Sequence, residues 1–162
     1  MIISKATGYG IRALAYLASQ TDLRLCGLNE IAANESIPPV YLRKLLGELR
    51  KHRIVESVKG VHGGYLLARQ PQNITLWDVF TLLDNDPYLD ECLLCGSREE
   101  NPKCAFCKDW KRIRDDLIGL FKAKTIADYA LESRTMATFW SPRAIRVPGG
   151  YSSGVPMLNL VG

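Results

Sequence analysis

Four cysteines between residues 92 and 107 constrain the fold of this 162-residue chain more than any other feature of its sequence. Cys92 and Cys95 form one C-x-x-C pair, Cys104 and Cys107 form a second, and the eight residues between the pairs are polar and include a glycine and a proline. Two thiolates three positions apart on a turn can bind one metal centre, and two such turns supply four ligands. The segment therefore predicts a metal site.

The spacing alone leaves the identity of the metal open. Structural zinc is commonly bound by C-x-x-C pairs, and iron–sulfur clusters use the same thiolate ligands. Disulfides are not expected, because the chain starts with an amphipathic helical pattern instead of an apolar secretory leader, which favours a reducing compartment. Cys26 is far from the doublets in the sequence and is expected to be a small buried apolar side chain.

Positive charge is concentrated in the first part of the chain. The net charge is +4, with ten Lys/Arg against five Asp/Glu in residues 1–70 and eleven against twelve in residues 71–162. This distribution favours a polyanionic partner for the first part, although a solvated basic face explains the charge equally well. No apolar run reaches the ~18 residues of a membrane span, so we expect no membrane partner and a cytoplasmic protein.

The first helices follow from apolar periodicity. Residues 4–19 predict an amphipathic helix capped by Ser4, in which Gly8 and Gly10 indicate that another element approaches the backbone closely. A short helix over residues 28–35 precedes a second one that starts at two prolines and turns four leucines inward: Leu42, Leu45, Leu46 and Leu49. The pair is typical of a helix-turn-helix, and a core-packed pair with no nucleic-acid role is the alternative.

The next stretch predicts a hairpin. Residues 54–58 and 65–67 have strand character, with Lys59 and His62 at the turn and Gly60, Gly63 and Gly64 forming a tight tip. A hairpin directly after a recognition helix is a wing, and its tip is narrow enough for a DNA minor groove.

The remainder predicts two more helices and a tail. Thr75 caps a helix that ends at Leu83, and Asp78 completes a capping pair. After the cysteines, one long helix carries an apolar stripe suited to a subunit interface, unless it folds back on its own domain; the stripe comprises Trp110, Ile113, Leu117, Leu120, Phe121, Ile126 and Leu131. The predicted fold is mainly α with a small β-wing: a winged helix-turn-helix domain (1–84), a cysteine-rich cluster-binding loop (85–108), a long dimerisation helix (109–140) and a flexible tail (141–162).

Three stretches carry a resemblance to a known family: S-K-A-T-G-Y-G-I-R-A-L, I-P-P-V-Y-L-R-K-L-L-G-E-L-R-K, and I-V-E-S-V-K-G-V-H-G-G-Y-L-L-A-R with the N-I-T-L-W-D-V-F that follows it. Over roughly residues 1–138 the chain resembles the winged helix-turn-helix regulators grouped with IscR, NsrR and CymR, the Rrf2 family, in its cluster-binding branch. The resemblance implies a homodimeric transcription regulator that binds a partly palindromic DNA operator and is not an enzyme.

The resemblance also implies where DNA would bind. Residues of the recognition helix would enter the major groove, and Lys59 with the glycines of the wing would enter the minor groove. Ser4 would contact a backbone phosphate. Arg43 stands where some cluster-binding relatives carry an acid, and arginine can read guanine with two hydrogen bonds. The DNA-binding candidates are Ser4, Pro39, Tyr41, Arg43, Lys44, Arg50, Lys59, His62, Gly63 and Gly64.

Cluster-binding members of the family place three cysteines before the long helix, and the resemblance implies that Cys92, Cys95 and Cys104 correspond to them, with Cys95 earlier than the family's usual even spacing. Cys107 falls where one branch uses a histidine, and four thiolates would complete a four-cysteine site for a 2Fe–2S or 4Fe–4S cluster. This predicts a sensor of redox state, nitric oxide or iron–sulfur supply. A regulator with structural zinc is the alternative, and a thiol-redox enzyme is the rival class, which does not explain the wing.

Overall fold

The computed structural model describes residues 3–20, 24–84, 89, 91–96 and 102–139, with the side chains of 133–139 left undescribed. In order, the elements are α1 (Lys5–Ala18), α2 (Leu28–Glu35), α3 (Pro39–Lys51), β1 (Val55–Val58), β2 (Gly64–Leu67), a 3-10 turn (Pro71–Asn73), α4 (Leu76–Leu83), α5 (Cys107–Ala123) and α6 (Ile126–Phe139). The mainly α class with a small β-wing is confirmed. The predicted tail lies outside the described residues, among which no helix is both long and apolar enough to cross a bilayer.

Helix α1 begins where its sequence predicts. The Ser4 hydroxyl accepts hydrogen bonds from the backbone N–H groups of Ala6 and Thr7 at 3.0 and 3.3 Å, which satisfies donors that the first turn leaves unpaired. A Cβ at Gly10 would lie 2.4 Å from Cδ1 of Leu83 on α4, so the predicted close approach occurs there. Gly8 faces open space, and the same prediction is wrong for it.

Helices α2 and α3 form the predicted helix-turn-helix. Ser36 ends α2 in the left-handed conformation (φ 51°), and Ile37 then packs into the core between the two helices. Helix α3 starts at Pro39, where a missing N–H costs little because the first turn has no partner for it. Its four inward leucines are all buried, which leaves the opposite side of α3 to solvent.

The wing is a two-stranded antiparallel hairpin fastened to the chain before α2. Val55 pairs with Leu67 at one end and Val58 with Gly64 at the other, so Gly64 belongs to strand β2 and not to the turn as predicted. Cys26 and Tyr65 exchange backbone hydrogen bonds of 2.9 Å in both directions. The hairpin is therefore held by backbone pairing on two sides.

The single long helix predicted over residues 109–140 is wrong. Lys124 adopts an extended conformation (φ −95°, ψ 136°) and ends α5. Thr125 then caps α6: its hydroxyl accepts from the N–H of Asp128 at 3.2 Å, while the Asp128 carboxylate accepts from the N–H of Thr125 at 2.9 Å. Long-range pairing stabilises the break, since Leu76 N–H donates to Lys124 O at 2.9 Å and Ile126 N–H to Ile74 O at 2.8 Å.

The break divides the predicted apolar stripe between two cores. Ile126 is fully buried in the first core, which α1–α3, the wing, Ile74 and Val79 build around Leu14. Trp110 and Phe121 are buried in a second core with Phe80, Leu89, Cys92 and Cys107. Part of the stripe therefore folds back on its own chain. Ile113 and Leu120 on α5 remain 50% and 53% exposed.

Replacing Gly64 by alanine should destabilise the fold. The new Cβ would lie 2.7 Å from the carbonyl oxygen of Cys26. A backbone atom cannot move aside as easily as the end of a flexible side chain. We expect a loss of about 1–3 kcal/mol in the free energy of unfolding, measured by urea titration. Gly8→Ala is the matched control: its Cβ meets open space in a helix, so stability should rise by about 0.5–1 kcal/mol. Equal effects of the two changes would contradict the proposed role of the Gly64–Cys26 contact.

Candidate metal centre and nucleic-acid interface

The four predicted cysteine ligands converge. The Sγ atoms of Cys92, Cys95, Cys104 and Cys107 all lie within 4.8 Å of one another. Each sulfur of the first doublet faces one of the second, at 3.9 Å for Cys92–Cys104 and 3.3 Å for Cys95–Cys107. Cys92 and Cys107 are buried, Cys104 is half-buried and Cys95 is exposed. The site is therefore closed on the protein side and open at one corner.

Two turns bring these thiols together. In the first, Gly96 adopts a left-handed conformation (φ 63°) and its N–H donates to the carbonyl of Cys92 at 2.8 Å, which curls the chain around the first doublet. In the second, Cys107 N–H donates to Cys104 O at 3.3 Å, and Cys107 is also the first residue of α5. Any ligand of the four sulfurs would therefore be attached to the start of that helix.

Trp110 fixes the cysteine segment against α5. Its indole Nε1–H donates to the carbonyl oxygen of Glu91 at 2.8 Å, and its ring stacks on Phe106 with centroids 6.5 Å apart. Residue 91 precedes the first doublet and residue 106 lies within the second, so one side chain contacts both turns. Since Trp110 is 3% exposed, these contacts are made in the second core.

The electrostatics distinguish Cys92 from Cys26, the cysteine outside the cluster. The backbone N–H of Leu94, aided by that of Cys95 and by the thiols of Cys107 and Cys95, lowers the pKa of Cys92 to about 6 despite its burial. Cys92 is thus prepared to bind a cation as thiolate. Burial raises the pKa of Cys26, which is completely enclosed in the first core. The expectation that Cys26 is a small buried apolar side chain is confirmed.

The donor set fits both predicted occupants, but the spacing distinguishes them. With metal–sulfur bonds of about 2.3 Å, a single tetrahedral ion places its sulfurs ~3.8 Å apart, close to the separations in this site. An iron–sulfur cluster has two or four iron atoms, and thiolates that bind different irons must lie farther apart than this. The exposed turn that carries Cys95 is the part of the described site best able to move outward.

The predicted DNA-binding residues of α3 lie on its solvent side. Pro39, Tyr41, Arg43, Lys44 and Arg50 are all exposed. Tyr41 is oriented by an edge contact with the ring of Tyr9, with centroids 5.8 Å apart. The Arg50 guanidinium donates to the Ser57 hydroxyl at 3.3 Å and connects the end of α3 to strand β1.

The predicted wing residues have two different environments. Lys59 and His62 are exposed in the turn between the strands, where Gly60 takes φ 122°. The turn requires glycine at position 63, because a Cβ there would lie 2.2 Å from the carbonyl oxygen of Val58. The two polar side chains are therefore available to a partner, while the glycines shape the hairpin that presents them.

Ser4 has a partner that sequence reasoning missed. Its N–H donates to the carboxylate of Asp84 at 2.9 Å, and its hydroxyl donates to the other oxygen of the same carboxylate. Asp84 ends α4 and is eighty positions away in the chain, so no local pattern marks this contact. A DNA phosphate at Ser4, which remains a prediction, would have to approach beside this negative charge.

Two further residues lie on the same solvent side of α3, outside the predicted set. Val40 is 75% exposed in the first helical turn, and Gly47 faces open space near the middle of the helix. Their spacing in the sequence indicates this placement. Val40 lies three residues before Arg43 and four before Lys44, and Gly47 lies four residues after Arg43 and three after Lys44. Residues so spaced share one helix face.

Comparison with known proteins gives concordant matches. The family model described as "Rrf2: Iron-dependent Transcriptional regulator" matches residues 3–131. A protein of Aquifex aeolicus whose name places it among the HTH-type transcriptional regulators is 39% identical over 132 residues. The match covers 79% of this chain and 90% of the relative. IscR of Escherichia coli is 28% identical over 120 residues, 74% of each chain. The structure of CymR, the global cysteine regulator of B. subtilis, superposes with a TM-score of 0.67 at 27% identity, covering 80% of this chain and 96% of that one.

Substituting individual cysteines should distinguish those that bind the metal from Cys26, which is not expected to bind it. We expect Cys107→Ser to lose most of the metal carried by the purified protein, because it removes one of four converging thiolates. Cys26→Ala should retain it, since that thiol lies in the other core. Iron and zinc are measured by elemental analysis after anaerobic gel filtration with a competing chelator. Full occupancy in Cys107→Ser would exclude this residue from the site.

Proposed function

This chain belongs to the Rrf2 family of transcriptional regulators, and we propose that it is a homodimeric, cytoplasmic DNA-binding regulator that senses redox state, nitric oxide or iron–sulfur supply. The observation that carries the sensing function is the convergence of four thiols within 4.8 Å at the start of α5. The relatives from Aquifex aeolicus and Escherichia coli are named as HTH-type transcriptional regulators, and CymR is named as a global cysteine regulator, which supports a regulatory function over an enzymatic one.

DNA binding rests on the exposed face of the winged domain. Helix α3 buries its leucines and presents Arg43 and Lys44, and the adjoining wing presents Lys59 at an exposed turn. A recognition helix in the major groove can use such cations on base edges or phosphates, and a narrow hairpin tip fits the minor groove. The operator would be a partly palindromic duplex, because each half-site would be read by one subunit.

The dimer rests on the outward side of α5. Ile113 and Leu120 are half-exposed and seven positions apart, with the half-buried Leu117 between them, so they form an apolar strip along two helical turns. A second copy of the chain would cover this strip with the same strip of its own helix. The two recognition helices would then be separated by the distance that the paired α5 helices set.

Coupling between the metal site and DNA follows from the position of α5. Cys107 begins this helix, Trp110 fastens it to the backbone of Glu91, and the outward strip lies further along it. Any change that releases the four thiols from a common ligand would free the segment around the doublets and change the position of α5. Because DNA half-sites are about 34–36 Å apart, a shift in the dimer would alter the fit of both recognition helices at once. A bound iron–sulfur cluster would supply one-electron redox chemistry at this position.

A structural zinc site is the second candidate, and one observation favours it. The Sγ separations of 3.3 and 3.9 Å, within a group of four that spans at most 4.8 Å, are close to the ~3.8 Å of a single tetrahedral ion, so binding one would need only small movements of the thiols. In that case the four thiolates hold the segment closed permanently, and the DNA-binding part of the proposal is unchanged. The family description as iron-dependent supports the iron–sulfur site instead.

Anaerobic purification followed by visible absorption spectroscopy and iron, sulfide and zinc analysis tests the sensing function. We expect a coloured protein with iron and sulfide in matching amounts, whose spectrum changes on exposure to air or nitric oxide together with its affinity for DNA. A colourless protein with about one zinc per chain, whose DNA binding is indifferent to oxidant, would refute the sensor and select the structural site.

Gly47→Ala should change stability and DNA affinity in opposite directions. A glycine inside a helix costs about 1 kcal/mol relative to alanine, and the new methyl at Gly47 would meet open space, so the free energy of unfolding should rise. The same methyl would project from the face that enters the groove, so affinity for a selected operator should fall severalfold in fluorescence anisotropy.

Gly119→Ala on α5 provides the matched control. Its Cβ also meets open space, and it lies about a third of a turn away from the Ile113–Leu120 strip. This change should stabilise the fold and leave DNA affinity unaltered. Undiminished affinity in Gly47→Ala would show that the outward face of α3 does not approach DNA closely.

A further inference from the structure

The most exposed apolar side chain on helix α3 is Val40, at 75%. It occupies the second position of the helix, after Pro39, and belongs to neither hydrophobic core. Its neighbours on the solvent side are charged or aromatic, and the fold makes no use of its branched side chain. Single exposed apolar side chains are common on protein surfaces, so what distinguishes Val40 is its position in the first turn of a face proposed to enter DNA.

Val40 shares its helix face with the side chains proposed to enter the major groove. Arg43 and Lys44 follow it by three and four positions, and Gly47 by seven, which places all four on one side of α3. The first turn of a recognition helix is the part that reaches base edges in helix-turn-helix proteins. Resting on the proposed DNA-binding function, this geometry brings the isopropyl group of Val40 to the floor of the groove.

Only one base offers that group a complementary surface. In the major groove adenine, guanine and cytosine present hydrogen-bond donors and acceptors, whereas thymine also presents its C5-methyl group. Valine cannot hydrogen-bond, so facing it with a polar edge would leave that edge unsatisfied. We propose that Val40 contacts the C5-methyl group of a thymine in each half-site and makes that position specific for thymine.

The first turn of α3 is already arranged for such a contact. Two consecutive prolines restrict the backbone where the helix begins, and the neighbouring Tyr41 is held by its edge contact with Tyr9. A valine in a helix also has one strongly preferred rotamer. Docking on a methyl group would therefore cost Val40 little conformational entropy.

Uracil substitution in the operator tests the inference. Duplexes that bind the full-length, anaerobically purified protein are first selected from a random-sequence library, and each thymine is then replaced by 2′-deoxyuridine, which lacks only the methyl group. We expect one thymine per half-site at which the replacement weakens binding about fourfold, the value for removing one buried methyl-sized group. Val40→Ala removes the two γ-methyl groups that would reach the thymine, so the ratio between the thymine and uracil duplexes at that position should fall towards one.

Arg43→Ala provides the control. It should weaken binding to every duplex and yet keep the ratio of about fourfold between thymine and uracil, because its contact does not involve the methyl group. If every uracil duplex binds the unaltered protein as tightly as its thymine parent, or if the ratio persists in Val40→Ala, the inference is overturned. If no selected duplex binds more tightly than bulk DNA, the proposed function fails, and this inference fails with it.

Discussion

A short backbone bridge between residues 74–76 and 124–126 joins the two halves of the described structure. Leu76 donates to Lys124 and Ile126 donates to Ile74, so the start of α4, the end of α5 and the start of α6 are fixed at one point. Helix α4 packs into both cores, through Val79 on one side and Phe80 on the other. Two hydrogen bonds and two helix caps thus fix the point at which the cysteine-bearing helix joins the winged domain, and packing of Phe121 against Phe80 adds to its orientation.

The winged domain could be predicted because its signals are local. The leucine spacing of α3, the two prolines at its start, and Gly60 and Gly63 of the wing each act within a few residues. The break at Lys124 escaped prediction because apolar spacing continues across it, although Thr125 and Asp128 repeat the capping pattern of Thr75 and Asp78. What decides the break is pairing with residues about fifty positions away, which periodicity does not register.

In the candidate metal site, too, local features could be predicted from the sequence and long-range contacts could not. The spacing of the four cysteines was sufficient to predict their convergence, since each doublet needs only one turn to present two thiols. The contacts that hold the doublets in place, from Trp110 to Glu91 and to Phe106, follow from packing in the second core. The pairing of Ser4 with Asp84 likewise depends on the close approach of α1 and α4 that Gly10 permits. Sequence indicated the candidate ligands, and tertiary packing determines which parts of the chain a change at these four cysteines can move.

The attachment of the wing has a consequence for how such a protein can diversify. Its position is set by main-chain pairing with Cys26 and by the absence of side chains at Gly63 and Gly64. None of these features involves the side chains of Lys59, Val61 or His62 at the turn. Mutation at those three positions can therefore alter the chemistry offered to a partner without moving the hairpin. The position of the wing and its preference for a partner are thus free to evolve separately.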